Sequence, residues 1–172
     1  LVAHSVSGSI SVLAANKRPE LFSKIVFVCP SPCYIDQDDY RGGFDQATIE
    51  NLIKSLEHDH INWSKSLGPV IMGNLDKPEL AAELVESFCV TEPMVAKHFG
   101  SVTFLSDNRE DYKKLKIPSL ILQCKDDKIA PEFVGKYLHE STPNSSFVQL
   151  EAEGHCPHVS APLEIIPIIM NF

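Results

Sequence analysis

Three side chains able to carry nucleophilic catalysis occur in the order Ser5, Asp127 and His155, each just after a predicted strand. The segment before Ser5 is apolar, and the apolar residues after it recur at helical spacing. This pattern predicts a strand, a sharp turn and a helix, with the serine at the apex of the turn. A hydroxyl held there, above the N-terminus of a helix, is suited to attack a carbonyl carbon.

A serine nucleophile requires a base that takes its proton and an acid that orients this base. In a parallel sheet flanked by helices, such groups lie on loops that follow the C-terminal ends of the strands. The segments Lys125–Pro131 and Glu151–His158 occupy such places and supply the candidates. The chain therefore contains the groups of an acyl-transfer site in the order serine, acid, base.

Two neighbouring carboxylates and two neighbouring histidines compete for the roles of acid and base. We prefer Asp127 to Asp126 because it stands four residues before Pro131, a proline that can open the next helix. We prefer His155 to His158 because a Gly-His turn after the last strand aims this side chain back toward the serine. Asp126 and His158 would then either support the site from behind or face solvent.

Each of the three groups also has a purely structural interpretation. Ser5 could be the N-cap of the helix that follows it, and Asp127 could cap the helix at Pro131. His155 could be an ordinary turn residue. The occurrence of all three in catalytic order favours the catalytic interpretation.

A tetrahedral intermediate also needs hydrogen-bond donors for its oxyanion. The backbone N–H of Val6, the residue after the nucleophile, is one expected donor. We expect the second donor on a loop after an early strand, which would lie before Leu1. We also expect that only the C-terminal part of the fold is present, without its N-terminal strands, and that the chain expressed alone is unstable or inactive.

Strand and helix patterns alternate on both sides of a helical segment, so we expect an α/β fold with a parallel sheet and a helical cap. Residues 1–33 form the first part of the core, which begins at the turn bearing the nucleophile. Residues 34–114 form the cap, with three or four helices. Residues 115–172 complete the core and carry the acid and the base.

Short, continuous apolar runs mark the strands, as is typical of a parallel sheet covered on both faces. They occur at Lys24–Cys29, Ile117–Cys124 and Ser146–Leu150. Within the cap, the pair Gly68-Pro69 predicts that the segment Trp63–Met72 is irregular rather than a continuous helix.

The composition of the chain argues against several classes of function. A net charge of −8 argues against nucleic acid and against adhesion to an acidic membrane. No apolar run approaches the roughly 20 residues of a transmembrane helix. The five cysteines are an odd number without a CxxC pair, so we expect no zinc site, reduced thiols and a cytoplasmic location.

Several segments together resemble the RsbQ-like group of α/β-hydrolases and, more distantly, the plant strigolactone and karrikin receptors. The resemblance covers essentially the whole chain, and the run through Cys156 is closer to the bacterial type. The shared segments are His4–Gly8, Arg18–Phe22, Pro30–Tyr34, Gly42–Phe44, Ser106–Asp111, Pro118–Cys124 and Glu153–His158. The chain departs from the family motif G-x-S-x-G by Ala3 and Ser7, although the family itself usually carries serine at the latter place.

The resemblance implies a triad of Ser5, Asp127 and His155 beneath a four-helix cap, with a small, mostly apolar pocket and no metal or organic cofactor. It further implies that Tyr34, Phe44, Trp63 and Phe104 are cap aromatics facing the pocket, although ordinary cap packing would equally account for each of them. Leu67 stands where plant relatives often have phenylalanine.

Two functions are compatible with this resemblance. The first is a serine hydrolase that acts on an ester or lactone of a small apolar molecule. The second is a signalling module whose pocket senses a ligand and whose cap binds a protein partner, with slow or incidental hydrolysis. The bacterial relatives act in energy-stress signalling with a partner phosphatase, and the plant relatives hydrolyse butenolides and signal with them. Carbon–carbon bond cleavage is a third and weaker alternative.

Overall fold

A parallel four-stranded sheet forms the centre of the computed structural model, which describes residues 1–172. The strands are β1 (Val2–His4), β2 (Ile25–Val28), β3 (Ser119–Asp126) and β4 (Ser145–Glu153), in the spatial order β1-β2-β3-β4. Every neighbouring pair is parallel. The predicted α/β fold class is confirmed.

Helices cover both faces of this sheet. One face packs against α1 (Val6–Lys17), α6 (Arg109–Lys113) and α7 (Glu132–Ser141), and the other packs against α9 (Pro162–Asn171). A 3-10 turn at Pro19–Leu21 follows α1. The short helix α8 (Pro157–Ser160) leads into α9.

The packing of helices on both faces of the sheet explains why the strands are continuous apolar runs in the sequence. Along β2 all four residues are buried, and successive side chains point to opposite faces. Ile25 and Phe27 belong to the cluster under α1 and α7, whereas Val26 and Val28 belong to the cluster under α9. Burial on both faces therefore favours an apolar side chain at each position of β2.

Besides α6, four helices lie between β2 and β3 in the chain. They are α2 (Gln46–His58), α3 (His60–Met72), α4 (Pro78–Cys89) and α5 (Pro93–Leu105). Carboxylate side chains begin three of them, because Asp45, Asp59 and Glu92 each accept a hydrogen bond from the backbone N–H three residues later. All four helices lie within residues 34–114, the predicted cap.

The expected interruption in this segment is wrong, since α3 continues through Gly68 and Pro69. Gly68 lies against Val85 of α4, and a Cβ added at this glycine would collide with the valine side chain. The glycine therefore allows the two helices to pack closely. Tertiary packing of this kind outweighs the low helix propensity of the pair.

None of the helices is both long enough and apolar enough to cross a membrane. The apolar segment Ile165–Met170, for example, belongs to the ten-residue helix α9.

Candidate active site

Ser5 occupies the sharp turn between β1 and α1. Its backbone has φ 54° and ψ −127°, a conformation that costs a non-glycine residue of the order of 1–3 kcal/mol. A hydrogen bond of 2.9 Å from the Ser5 amide to the carbonyl of Val28 holds this turn against β2. Ser5 stands at the N-cap position, yet its hydroxyl makes no capping hydrogen bond. The side chain therefore does not serve as a helix cap.

Small residues surround this turn. Ala3 is only 2% exposed, so the departure from the glycine of the family motif still leaves a small side chain in the core. At Gly8, an added Cβ would lie 2.8 Å from the hydroxyl oxygen of Tyr112 and 3.4 Å from Phe27. The first turn of α1 can therefore approach the sheet closely only with glycine at this position.

The Ser5 hydroxyl meets His155, whose Nε2 lies 2.7 Å from Ser5 Oγ. The other ring nitrogen, Nδ1, lies 2.7 Å from Asp127 Oδ2. An ionised carboxylate only accepts hydrogen bonds, so Nδ1–H donates to Asp127 and Nε2 is left to accept the serine proton. Asp127 and His155 are each 3% exposed, which shields the hydrogen bond between them from water.

Asp127 is fixed by its own loop. Its Oδ1 accepts hydrogen bonds from the amides of Ile129 and Ala130, at 2.8 and 3.0 Å. The side-chain amide of Gln123 lies 3.3 Å from Oδ2. The next helix has Pro131 at its N-cap and no side-chain capping bond, so Asp127 is not a helix cap. Its carboxylate is oriented toward the imidazole instead.

The alternative acid and base, Asp126 and His158, do not take part in these hydrogen bonds. Asp126 is exposed and pairs with the ammonium group of Lys128, with 2.6 Å between Oδ1 and Nζ. His158 does not contact the serine, but it lines the cavity, and its ring centroid lies 4.4 Å from that of His4. Burial, and then the neighbouring His155, lower the pKa of His158.

The sequence analysis did not assign a role to His4. Its Nε2–H donates to the backbone carbonyl of His155 at 2.7 Å, and the two rings lie 4.9 Å apart. Burial and the adjacent His155 lower the pKa of His4 to about 3. His4 is therefore a neutral hydrogen-bond donor that holds the loop of His155. In the sequence, the position of His4 next to Ser5 was the only indication of this role.

Two hydrogen-bond donors, the Val6 amide and the Tyr34 hydroxyl, lie beside Ser5. Val6 is the first residue of α1, so its amide has no acceptor within the helix. The hydroxyl oxygen of Tyr34 lies 3.4 Å from Ser5 Oγ. Burial raises the pKa of Tyr34 to about 12, so this side chain remains a neutral phenol at neutral pH.

A cavity of about 610 Å³ extends from Ser5 beneath the cap. This volume suits a small organic molecule. Of the predicted aromatics, Tyr34, Trp63 and Phe104 line it, and so does Leu67. Further apolar lining comes from Ile71, Met72, Leu80, Leu84, Phe88, Phe99, Ile129 and Val159.

Phe44 does not line this cavity. It packs against the cluster formed by Tyr34, Ile49, Phe104 and Ile129. Its amide donates to the carbonyl of Tyr34 at 3.1 Å, so Phe44 supports the segment that carries this tyrosine. Phe44 is thus not placed to contact a ligand in the cavity, whereas Tyr34, whose segment it supports, lines the cavity.

One cluster at the site has the donor types of a metal centre. Atoms of Cys29, Asp127 and His155 all lie within 4.8 Å of one another. The Asp127 oxygens, however, already accept hydrogen bonds from two amides and from the imidazole. Burial also raises the pKa of the Cys29 thiol, which opposes the thiolate form that binds metals. The donor set therefore fits orientation of the imidazole better than metal binding.

A family model for the "Alpha/beta hydrolase family" matches residues 1–168, and the chain belongs to this family. It is 32% identical over 171 residues to Karrikin insensitive 2 receptor CA of Petunia hybrida. This alignment covers 99% of the chain and 63% of the receptor. It is 31% identical over 165 residues to a strigolactone esterase of Arabidopsis thaliana, covering 95% of the chain and 61% of that protein.

A solved hydrolase from Oleispira antarctica has a TM-score of 0.96 and 39% sequence identity to the chain. The match covers 99% of the chain and 63% of that structure. The chain thus spans less than two thirds of the length of these relatives.

Proposed function

We propose that this chain carries the catalytic groups of a serine hydrolase acting on an ester or lactone of a small, apolar molecule. The observation that carries the proposal is the continuous hydrogen-bonded series from Asp127 through His155 to Ser5, which opens on an apolar cavity. A serine, a base and an orienting acid at hydrogen-bond distances are the requirements for nucleophilic acyl transfer.

In the first half of the reaction, Ser5 Oγ attacks the carbonyl carbon while its proton passes to His155 Nε2. Asp127 stabilises the imidazolium that forms, and the Val6 amide donates to the oxyanion. The intermediate collapses to an acyl-serine, and His155 returns the proton to the departing alcohol. In the second half, His155 takes a proton from a water molecule as the water oxygen attacks the acyl carbon. The bond between this carbon and Ser5 Oγ then breaks, and His155 returns the proton to Oγ, which releases the acid and restores Ser5.

The lining of the cavity supports an uncharged, largely apolar substrate. Among the lining residues, Glu83 is the one carboxylate, and no lysine or arginine is present to bind an anionic group. The names of relatives as a strigolactone esterase and a probable esterase support ester or lactone chemistry.

A serine-directed fluorophosphonate tests the proposal on the complete protein that contains this chain. We expect the reagent to modify Ser5, and the Ser5→Ala variant to lose both labelling and esterase activity. Asp127→Asn should lower kcat by about 10⁴, whereas the exposed control Asp126→Asn should retain the wild-type rate. Unmodified Ser5 in a folded protein would overturn the assignment.

A second function, ligand sensing coupled to signalling, is favoured by the similarity to proteins named as karrikin receptors. We propose, as the RsbQ-like resemblance implies, a cytoplasmic stress-signalling role with a phosphatase-type partner. A row of exposed apolar residues on α5 supports a protein contact at the cap; it comprises Met94, Val95, Phe99, Val102 and Leu105. Under this proposal Ser5→Ala abolishes turnover but preserves ligand-dependent capture of the phosphatase. A partner captured equally with and without ligand would contradict it.

A further inference from the structure

One fully buried side chain on β3 is a primary amide. This residue is Gln123, whose exposed fraction is 0%. Its neighbours in the strand, Leu122 and Cys124, belong to the apolar cluster under α9. Gln123 points to the opposite face, because successive side chains of a strand alternate, and there it lies against Gly135 of α7. A polar group at such a position needs hydrogen bonds to offset its loss of contact with water.

The amide of Gln123 makes its hydrogen bonds to the loop of the proposed acid. Nε2 donates to Asp127 Oδ2 over 3.3 Å and also to the backbone carbonyl of Ala130. An ionised carboxylate and a carbonyl only accept hydrogen bonds, so Nε2 rather than Oε1 faces them. The amide of Ala130 in turn donates to Asp127 Oδ1 at 3.0 Å. Gln123 therefore acts on both carboxylate oxygens, on Oδ2 directly and on Oδ1 through Ala130.

The other end of the same amide shows that this arrangement is unfavourable for packing. Oε1 of Gln123 is buried without a hydrogen-bond partner in the protein, which destabilises the fold. A Cβ added at Gly135 would lie 2.9 Å from both Oε1 and Cγ of Gln123, so the side chain requires glycine in α7. Glycine is among the poorest residues for the interior of a helix. A methionine of similar length would fill the space without an unpaired oxygen, so packing alone does not account for Gln123.

We propose that Gln123 is a positioning residue for the reaction, and that Gly135 leaves room for its side chain. Asp127 Oδ2 lies 2.7 Å from His155 Nδ1, and the Gln123 amide keeps this oxygen directed toward the imidazole while the imidazole gains its positive charge. Gln123 does not line the cavity, so it acts through Asp127 and not on the substrate. The inference rests on the proposed hydrolase function and adds a residue to its machinery.

Steady-state kinetics on a p-nitrophenyl ester tests this role in the complete protein. Gln123→Met keeps the length of the side chain but has no donor. We expect kcat to fall about tenfold with KM unchanged, as the loss of a hydrogen bond to a charged group allows. A wild-type kcat in a folded Gln123→Met variant would overturn the positioning role.

Ile121→Val is the matched control for loss of packing. Ile121 is also 0% exposed, lies two residues before Gln123 on the same face of β3, and belongs to the apolar cluster under α1 and α7. This variant should unfold at a lower urea concentration and keep the wild-type kcat. If Ile121→Val and Gln123→Met lower kcat equally, the effect comes from packing and the positioning role is wrong.

Gly135→Ala tests the same contact from the side of the helix. The added methyl group displaces the Gln123 side chain, so kcat should fall severalfold with KM unchanged. In Gln123→Ala both the amide and Cγ are absent, so adding Gly135→Ala to this variant should cause no further fall in kcat. Equal falls in the two backgrounds would show that the methyl group acts through the helix, and would contradict the role of Gly135.

Nuclear magnetic resonance of the imidazole separates this inference from the proposed function. The Nδ1–H of His155 should give a downfield proton resonance, identified by its loss in His155→Gln. We expect Gln123→Met to shift and broaden this resonance and Ile121→Val to leave it unchanged. If the fluorophosphonate does not modify Ser5, the hydrolase function fails by itself, and the altered resonance still supports the action of Gln123 on Asp127. An unchanged resonance in Gln123→Met would overturn it.

Discussion

The backbone amide of His155 donates to the carbonyl oxygen of Ile71 at 2.8 Å, and this hydrogen bond joins the proposed base to the last turn of α3. The same helix lines the cavity with Trp63, Leu67 and Ile71. The position of the loop of His155 is therefore tied to the position of α3 by this hydrogen bond. The cap and the core are thus connected at the residue to which we assign proton transfer.

The side chain of Asn74 reinforces this junction, since Nδ2 donates to the carbonyls of Met72 and Glu153, at 2.9 and 3.0 Å. We expect Asn74→Ala to lower kcat about fivefold with little change in KM, because the loop of the base loses a tether of about 1 kcal/mol. Steady-state kinetics on a p-nitrophenyl ester measures both constants.

Two further variants separate the tether from a general loss of stability. Asn144 has the same left-handed backbone as Asn74, with φ 55° against 52°, but it lies away from the cavity. Asn144→Ala should lose similar stability without a change in kcat. Asn74→Gly removes the side-chain donor, but glycine adopts the left-handed backbone conformation without strain. It should therefore lower kcat as much as Asn74→Ala does. A normal kcat in Asn74→Gly would contradict the tether.

Gly154 is the tightest point of the same junction. Its φ is 78°, and an added Cβ would collide with the backbone carbonyl of Met72. We expect Gly154→Ala to lose at least about 2 kcal/mol of unfolding free energy and most of its activity, because the carbonyl cannot yield without displacing α3. Urea unfolding and esterase assays measure the two effects.

Gly43 offers the comparison for this variant. Its φ is 109°, but an added Cβ would meet only the side chain of Pro131, at 3.1 Å. Gly43→Ala should therefore share the backbone strain yet retain the geometry of the base. Equal activity losses in Gly43→Ala and Gly154→Ala would argue against a specific role for the junction.

His4 should make stability depend on pH. Its pKa is lowered by burial, and then by His155, from 6.5 to about 3, so the unfolded chain binds a proton that the folded chain does not. The stability associated with neutral His4 is complete above pH 6.5 and is lost as pH falls from 6.5 toward 3. Between pH 6.5 and pH 5 the loss amounts to about 2 kcal/mol.

The variant His4→Gln keeps an amide donor for the carbonyl of His155 but does not titrate. We expect its unfolding free energy, measured in urea at pH 6.5 and pH 5, to fall less than that of the wild type by about 2 kcal/mol. His155 and His158, whose rings lie near His4, are unchanged in the variant, so the comparison isolates the contribution of His4. Parallel pH profiles for the two proteins would show that His4 is not the group responsible.

Local sequence patterns were sufficient to predict the α/β fold and the strands that precede Ser5, Asp127 and His155. Buried strands and the turns after them are determined largely by nearby residues, so their positions are visible in the sequence. The packing of α3 against α5 was not visible, since it depends on contacts between helices that are distant in the sequence. Side-chain direction in the cap is set by tertiary contacts, and no helical period encodes it.

Phe44 and Gly68 illustrate the same limit. The family resemblance placed Phe44 at the cavity, but its backbone pairs with the segment of Tyr34 and its ring packs in the cluster of Tyr34, Ile49, Phe104 and Ile129. Low propensity predicted a helix break at Gly68, but contact with Val85 makes the glycine useful there. In both cases a partner distant in sequence determined the outcome.

Tyr34 should contribute to the reaction through its hydroxyl, which lies 3.4 Å from Ser5 Oγ. Because burial raises its pKa to about 12, the phenol remains a hydrogen-bond donor at neutral pH. We expect Tyr34→Phe to lower kcat about tenfold with little change in KM, since a donor near the developing oxyanion stabilises the transition state more than the bound ester.

Tyr40→Phe is the matched control for this prediction. Tyr40 and Tyr34 are both 2% exposed, but the Tyr40 hydroxyl donates to the carbonyl of Cys33 at 2.7 Å, away from Ser5. Its loss should cost about 1 kcal/mol of unfolding free energy and leave kcat unchanged. If Tyr34→Phe and Tyr40→Phe lower kcat equally, the effect comes from the shared loop and not from the hydroxyl beside the nucleophile.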